Sequence, residues 1–309
     1  MRRKLLGVSL TALLFAAGQA DAETPHVVAS IAPIHSLVAS VMEGAGEPKL
    51  LIPAEVTEHD YALKPSDIRK IAGADLVVWL GESLEAYLVK PLETESVKQL
   101  ELIDAEGIDP HAFREEEAHE ENVAEVEEDE DEHGHFGLDP HVWLDPIRGV
   151  AIVRAVAEVL GQMDAENADL YAANAKRTAA ALEALDREIR KRLTPLADRP
   201  FITFHDGYSY FVERYGLRQV GQLMVHPEQR PGAASLSALR GTVASENVAC
   251  AFAEPQFDPG MLRSLAGDAD MKVGVLDTLG AGLAPGPALY GALLRRNAEA
   301  VATCLTPTS

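Results

Sequence analysis

The chain has 309 residues, with 27 Lys+Arg against 49 Asp+Glu and a formal net charge of −22. Hydrophobic residues make up 47%, enough for one large or two medium cores, which excludes a disordered or fibrous protein. A pI near 4.8 argues against a nucleic-acid binder, which would carry a basic footprint.

The first 22 residues read as a secretory signal peptide. Arg2, Arg3 and Lys4 precede the apolar run Leu5 to Ala17, and Ala20-Asp21-Ala22 supplies an A-x-A cleavage pattern. The apolar run is well short of the roughly 20 residues that a membrane span needs. The mature chain is therefore expected to be soluble, exported and free to form disulfides. Cys250 and Cys304 both lie in apolar surroundings, and an oxidising compartment predicts one disulfide tying the last helix to a core strand. A thiolate metal site is the rival reading, but neither cysteine has a close Cys or His partner in sequence.

From residue 23 onward, short β-rich runs alternate with helical patterns. His26 to Ile31, Lys49 to Ile52, Asp75 to Leu80 and Leu100 to Ile103 read as strands. Pro33 to Met42, Pro65 to Ala72 and Ser83 to Val89 read as the helices between them. The rhythm returns with strands at Phe201 to Phe204, Leu217 to Leu223, Val248 to Ala253 and Val273 to Leu276. Helices follow at Tyr208 to Tyr215, Ser235 to Glu246, Pro259 to Leu265 and Ala288 to Val301. The pattern predicts an α/β protein of two similar lobes, each a roughly four-stranded parallel sheet flanked by helices. The N-terminal lobe is expected over 23–163 and the C-terminal lobe over 194–309. Between them, Asp164 to Leu193 contains no Gly or Pro, and reads as a rigid linking helix about 45 Å long.

One segment breaks the rhythm. Residues 114–137 hold 12 acidic residues against a single Arg and include His119, His133 and His135. So charged a block cannot bury enough apolar surface to order itself, and it is expected to be a mobile loop.

The remaining histidines fall at telling places. His59 follows the second predicted strand, His141 lies beyond the fourth strand and the acidic loop, and His205 directly follows Phe201-Ile-Thr-Phe204. Asp277 directly follows Val273-Gly-Val-Leu276. Ligands of parallel α/β sheets bind outside the carboxyl ends of the strands. Three imidazoles and a carboxylate there, two from each lobe, would suit Zn²⁺ in tetrahedral geometry, whereas Mn²⁺ sites lean toward oxygen. His26, His35, His111 and His226 read as structural or exposed. Asp60 and Asp206 read as helix caps or supports of their histidine neighbours, and Trp79 and Trp143 as core beneath the cleft.

Five motifs carry a resemblance: Glu58-His-Asp-Tyr-Ala-Leu-Lys-Pro-Ser-Asp67, Pro140-His-Val-Trp-Leu-Asp-Pro146, Phe204-His-Asp-Gly-Tyr208, Ala253-Glu-Pro-Gln-Phe257 and Leu276-Asp-Thr-Leu-Gly280. In order along the whole mature chain, they resemble those of cluster A-I solute-binding proteins, the metal-capturing components of ABC importers, and most closely the periplasmic zinc-binding members. The resemblance implies two α/β lobes on a long helix with metal between them. It places the metal ligands on His59, His141 and His205, the fourth acidic position on Asp277, and an alternative ligand on Glu58. Manganese members typically have Glu where this chain has His205. The resemblance extends to the paired cysteines and, in part, to the acidic loop, where His119, His133 and His135 read either as weak accessory zinc ligands or as members of a solvated, self-repelling loop with incidental metal affinity.

The function expected is capture of Zn²⁺ in the periplasm and delivery to a membrane permease powered by a cytoplasmic ATPase. The protein would act as a monomer, without catalysis and without nucleic acid. Two alternatives stay open: a manganese or iron receptor of the same family, and an exported zinc-dependent hydrolase with Glu58 as general base. Against hydrolysis by a serine nucleophile, the chain has no G-x-S-x-G sequence.

Overall fold

A computed structural model describes residues 24–95, 97–113, 137–224, 231–268 and 271–307. The predicted signal peptide, residues 114–136 with His119, His133 and His135, and His226 lie outside the described residues.

Among the described residues, eight strands form two four-stranded sheets, and every pairing within these sheets is parallel. The first contains β1 (Val27–Ala29), β2 (Lys49–Leu50), β3 (Leu76–Trp79) and β4 (Lys98–Glu101), in the order β2-β1-β3-β4. The second contains β5 (Phe201–His205), β6 (Gln219–Met224), β7 (Cys250–Ala253) and β8 (Lys272–Val275), in the order β6-β5-β7-β8. Central strands such as Leu76-Val-Val-Trp79 and Cys250-Ala-Phe-Ala253 are buried on both faces, as continuous apolar runs in a helix-covered parallel sheet must be.

Around the first sheet lie α1 (Ala32–Met42), α2 (Pro65–Ala72), α3 (Glu82–Glu95) and α4 (Pro146–Met163). Then come the long α5 (Ala168–Leu193) and, around the second sheet, α6 (Ser209–Tyr215), α7 (Ala233–Glu246), α8 (Gly260–Asp268) and α9 (Leu289–Leu305). The sequence reading passes over α4. Its valines, isoleucines and two glycines dilute the helical signal, although Asp145 caps Ile147 N–H and Pro146 starts the first turn. The strut begins at Ala168, four residues later than expected, because Asp164 closes α4. The Asp164 carboxylate accepts from Asn167 Nδ2 (2.7 Å) and Tyr171 Oη (2.8 Å), fixing the corner between the two helices.

The strut does not stand alone. It packs along α4 and touches both α1 and α9. One core runs from the first sheet through α5 and α9 to Phe201, Cys250 and Phe252 on one face of the second sheet. A smaller core of Ile202, Phe204, Leu239, Val243 and Leu262 covers the other face. Tyr290 on α9 stitches the lobes: its N–H donates to Ser36 Oγ (3.0 Å) and its hydroxyl to the Trp143 carbonyl (2.6 Å). Gly149 on α4 makes room for it, since a Cβ there would lie 2.6 Å from the Tyr290 hydroxyl. Cys250, at the amino end of β7, is bonded to Cys304 of α9 with Cα atoms 6.0 Å apart, so the thiolate metal site is set aside.

Candidate metal centre

The carboxyl ends of the strands bring the chemistry together. His205 is the last residue of β5, and His59 stands in the loop after β2. His141 opens a 3-10 turn at Val142–Leu144 that leads into α4. On the approach to His141, the residues flanking segment 114–136 meet: Ala112 bridges Leu138, and Phe113 N–H donates to the Gly137 carbonyl (3.1 Å).

Although up to 146 positions separate them, the three imidazoles share one point, with a ligand nitrogen of each within 4.8 Å of the others. Nε2 of His141 lies 3.2 Å from Nε2 of His59 and 3.3 Å from Nε2 of His205. Tetrahedral Zn²⁺ with bonds of 2.0–2.1 Å holds its nitrogens roughly 3.3–3.4 Å apart, so both edges at His141 have the length that this cation requires. His141 and His205 are buried and His59 is half-buried, which places the open side at His59.

Two carboxylates set the rings. Asp139 Oδ1 accepts from the His141 backbone N–H (3.0 Å) and lies 2.7 Å from its Nδ1. Glu254, immediately after β7, puts Oε1 2.7 Å from His205 Nδ1. Each carboxylate fixes the tautomer that leaves Nε2 with a lone pair toward the centre. Burial alone would lower the His205 imidazole, but the charge and hydrogen bond of Glu254 outweigh it and hold the group above its usual value. Burial would likewise raise Asp139; the adjoining His141 and the Ser209 hydroxyl reverse this and hold it low. The sequence reading gives no role to Glu254, Asp139 or Ser209. The available signal for Glu254 was an acidic residue at the carboxyl end of a predicted strand, beside the strand carrying His205.

Gly207 is a further unpredicted member. A Cβ there would lie 2.3 Å from His205 Nε2 and 3.1 Å from His141 Nε2, so no other residue leaves the nitrogens in place.

Neither carboxylate expected as fourth ligand joins the group of imidazoles. Asp277 is occupied elsewhere. Its Oδ1 accepts from Gln256 Nε2 (3.1 Å) and from the N–H groups of Leu279 and Gly280 (both 2.9 Å), and its Oδ2 pairs with Arg296. In this structure it anchors the turn after β8. Glu58 is buried next to the imidazoles, and its Oε1 accepts from Thr278 Oγ1 (2.9 Å) of the opposite lobe. Burial raises its carboxyl, with the charges of His141 and His205 acting in the opposite direction.

Among the described residues, the other histidines stay apart. His35 is buried against the Pro48 carbonyl, His26 pairs with Asp75 at the surface, and His111 stacks on Tyr210. Asp206 is buried and Asp60 exposed. Trp79 is buried as expected, and Trp143 does more than fill space: its ring lies 5.1 Å from that of His141, and its indole N–H donates to the Thr278 carbonyl (2.8 Å).

Two sheet lobes on a packed helical strut, with inward-facing imidazoles between them, define a cleft-type binding protein for a divalent metal. The family model described as "Zinc-uptake complex component A periplasmic" matches residues 27–304. The high-affinity zinc uptake system protein ZnuA of Brucella suis is 39% identical, with 92% of each chain covered. A crystal structure of ZnuA superposes with a TM-score of 0.78 at 26% identity, covering 92% of this chain and 100% of that one. A zinc-bound ZnuA deletion mutant superposes with a TM-score of 0.77 at 25% identity, covering 93% and 100%. The chain belongs to the periplasmic zinc-uptake component family, and is a zinc-binding receptor of a transport system. Among the described residues, no helix is long and apolar enough to cross a membrane.

Proposed function

We propose that the protein captures Zn²⁺ between its lobes through Nε2 of His59, His141 and His205. The observation that carries this reading is the nitrogen triangle, with edges of 3.2 and 3.3 Å at His141. Glu58 completes the coordination on cation binding, since Asp277 already holds Arg296 and three N–H donors. Three imidazoles favour zinc over manganese, which prefers oxygen-rich sites.

The proposed activity is carriage with no chemical step. After cleavage behind Ala22, the mature chain acts as a periplasmic monomer that delivers zinc to a membrane permease driven by a cytoplasmic ATPase. Residues 23–163 and 194–309 act as the lobes and α5 as the strut. Segment 114–137, with His119, His133 and His135, serves as an accessory recruiter.

The test is zinc stoichiometry and affinity for the mature chain, for His205→Ala and for a deletion of residues 114–137, with Mn²⁺ as competitor. One tight zinc per chain is expected, lost in His205→Ala and kept in the deletion. Wild-type affinity in His205→Ala, or displacement of zinc by equimolar Mn²⁺, would overturn the assignment.

A further inference from the structure

Asp139 makes contacts in two directions. Its Oδ1 holds Nδ1 of His141 at 2.7 Å, within its own lobe. Its Oδ2 accepts from Ser209 Oγ, at the start of α6 in the other lobe. The Asp139 carbonyl accepts from the Tyr210 hydroxyl (2.7 Å), and its N–H donates to the His111 carbonyl (2.8 Å). Asp139, His141, Ser209 and Tyr210 are all buried, so no water competes for these bonds while the lobes are together.

Resting on the zinc reading above, we infer that Asp139 is a positioning residue that couples apposition of the lobes to the posture of His141. One carboxylate serves both partners, so its orientation at His141 depends on Ser209 being in reach. Separation of the lobes breaks the Ser209 bond and leaves the carboxylate tethered through Oδ1 alone, to the backbone N–H and Nδ1 of His141, with Oδ2 free to swing. The ring of His141 then turns with it, and the nitrogen triangle comes apart. Opening thus loosens the grip on the cation as well as exposing it, and cation loss by one route follows the state of the interlobe contact. A ring held only by its own lobe would keep its posture through opening.

The experiment is release of zinc to an excess of chromophoric chelator, followed by stopped flow in the full mature chain. Asp139→Asn is expected to release zinc between about tenfold and a hundredfold faster, as for other residues that orient a metal ligand. Ser209→Ala removes one hydrogen bond to a charged group and is expected to release about tenfold faster. Tyr210→Phe removes the bond to the backbone carbonyl and is expected to release about fivefold faster. The decisive comparison is the double variants. Ser209→Ala adds nothing in the Asp139→Asn background, whereas Tyr210→Phe still adds its own factor, because the carbonyl is untouched. A purely structural loosening by Ser209→Ala would add in both backgrounds, and that result overturns the inference. Wild-type release by Ser209→Ala alongside fast release by Asp139→Asn also overturns it, while leaving the zinc site standing. Wild-type release by Asp139→Asn overturns it too and leaves the zinc site standing, whereas a wild-type chain that holds no stoichiometric zinc overturns the zinc reading itself.

Discussion

Nδ1 of His205 and Oε1 of Glu254 lie 2.7 Å apart, both side chains buried, although 49 positions separate them in the chain. Adjacent pairing of β5 with β7 brings the two strand ends together. Glu254→Gln keeps the size and removes the charge that makes the imidazole a better donor. Zinc affinity is expected to fall about tenfold or more, read by competition with a chelator of known strength. An unchanged affinity would mean that Glu254 is a bystander.

The pH dependence follows from the same pair. Zinc needs a neutral imidazole, and the free protein's His205 titrates above the usual 6.5 because Glu254 outweighs burial. Protons therefore start to displace zinc above that value, and affinity continues to fall toward pH 5. In the metal-free protein, a raised histidine contributes stability that is present below 6.5 and lost as pH rises through its folded value. Titration of wild type and Glu254→Gln from pH 8 to pH 5 checks this, with the variant's onset expected at lower pH.

Gly207→Ala tests close approach. The added methyl would stand 2.3 Å from His205 Nε2, so the ring must leave its place. Roughly a hundredfold loss of zinc affinity is expected, since metal sites tolerate displacements of only about 0.5 Å. Circular dichroism should remain that of the wild type. Tight binding in this variant would show that the rings relax more freely than their carboxylate partners allow.

Glu85 sits at a non-helical residue inside α3, fully buried, with Oε2 accepting from the Leu80 N–H at 2.7 Å. Burial pushes its carboxyl up from 4.5 to about 7. A raised carboxyl favours the folded state below its unfolded value and loses that contribution as pH rises through the folded one. Between pH 4.5 and pH 8 the loss is on the order of 3 kcal/mol. Thermal midpoints at pH 5 and pH 8 should therefore drop more in wild type than in Glu85→Gln. Equal drops would count against a neutral Glu85.

Reduction of the Cys250–Cys304 bridge opens a loop of 54 residues and should cost about 4 kcal/mol in the chain-entropy view. The bridge lies at the amino end of β7, opposite Glu254, so zinc affinity should survive at temperatures where the reduced chain stays folded. Denaturant unfolding with and without reductant measures the first claim, and metal titration of the reduced protein the second.

Hydrophobic period and cap residues are local properties, so the alternation of strands and helices was legible in the amino-acid order. So was the placing of His59, His141 and His205 after strands or their loops, because ligands gather at that end of a parallel sheet. α4 is not legible there, since β-branched residues and glycines blur a helical period, and only packing against α5 decides it. Partner choice was not legible. Glu254 reaches His205 through strand order, and Asp139 meets Ser209 through the apposition of two lobes. Asp277, which spacing alone offers to the metal, is claimed by Arg296 and by the turn after β8. A carboxylate takes whichever donors the folded chain puts within about 3 Å, and sequence distance carries no record of that.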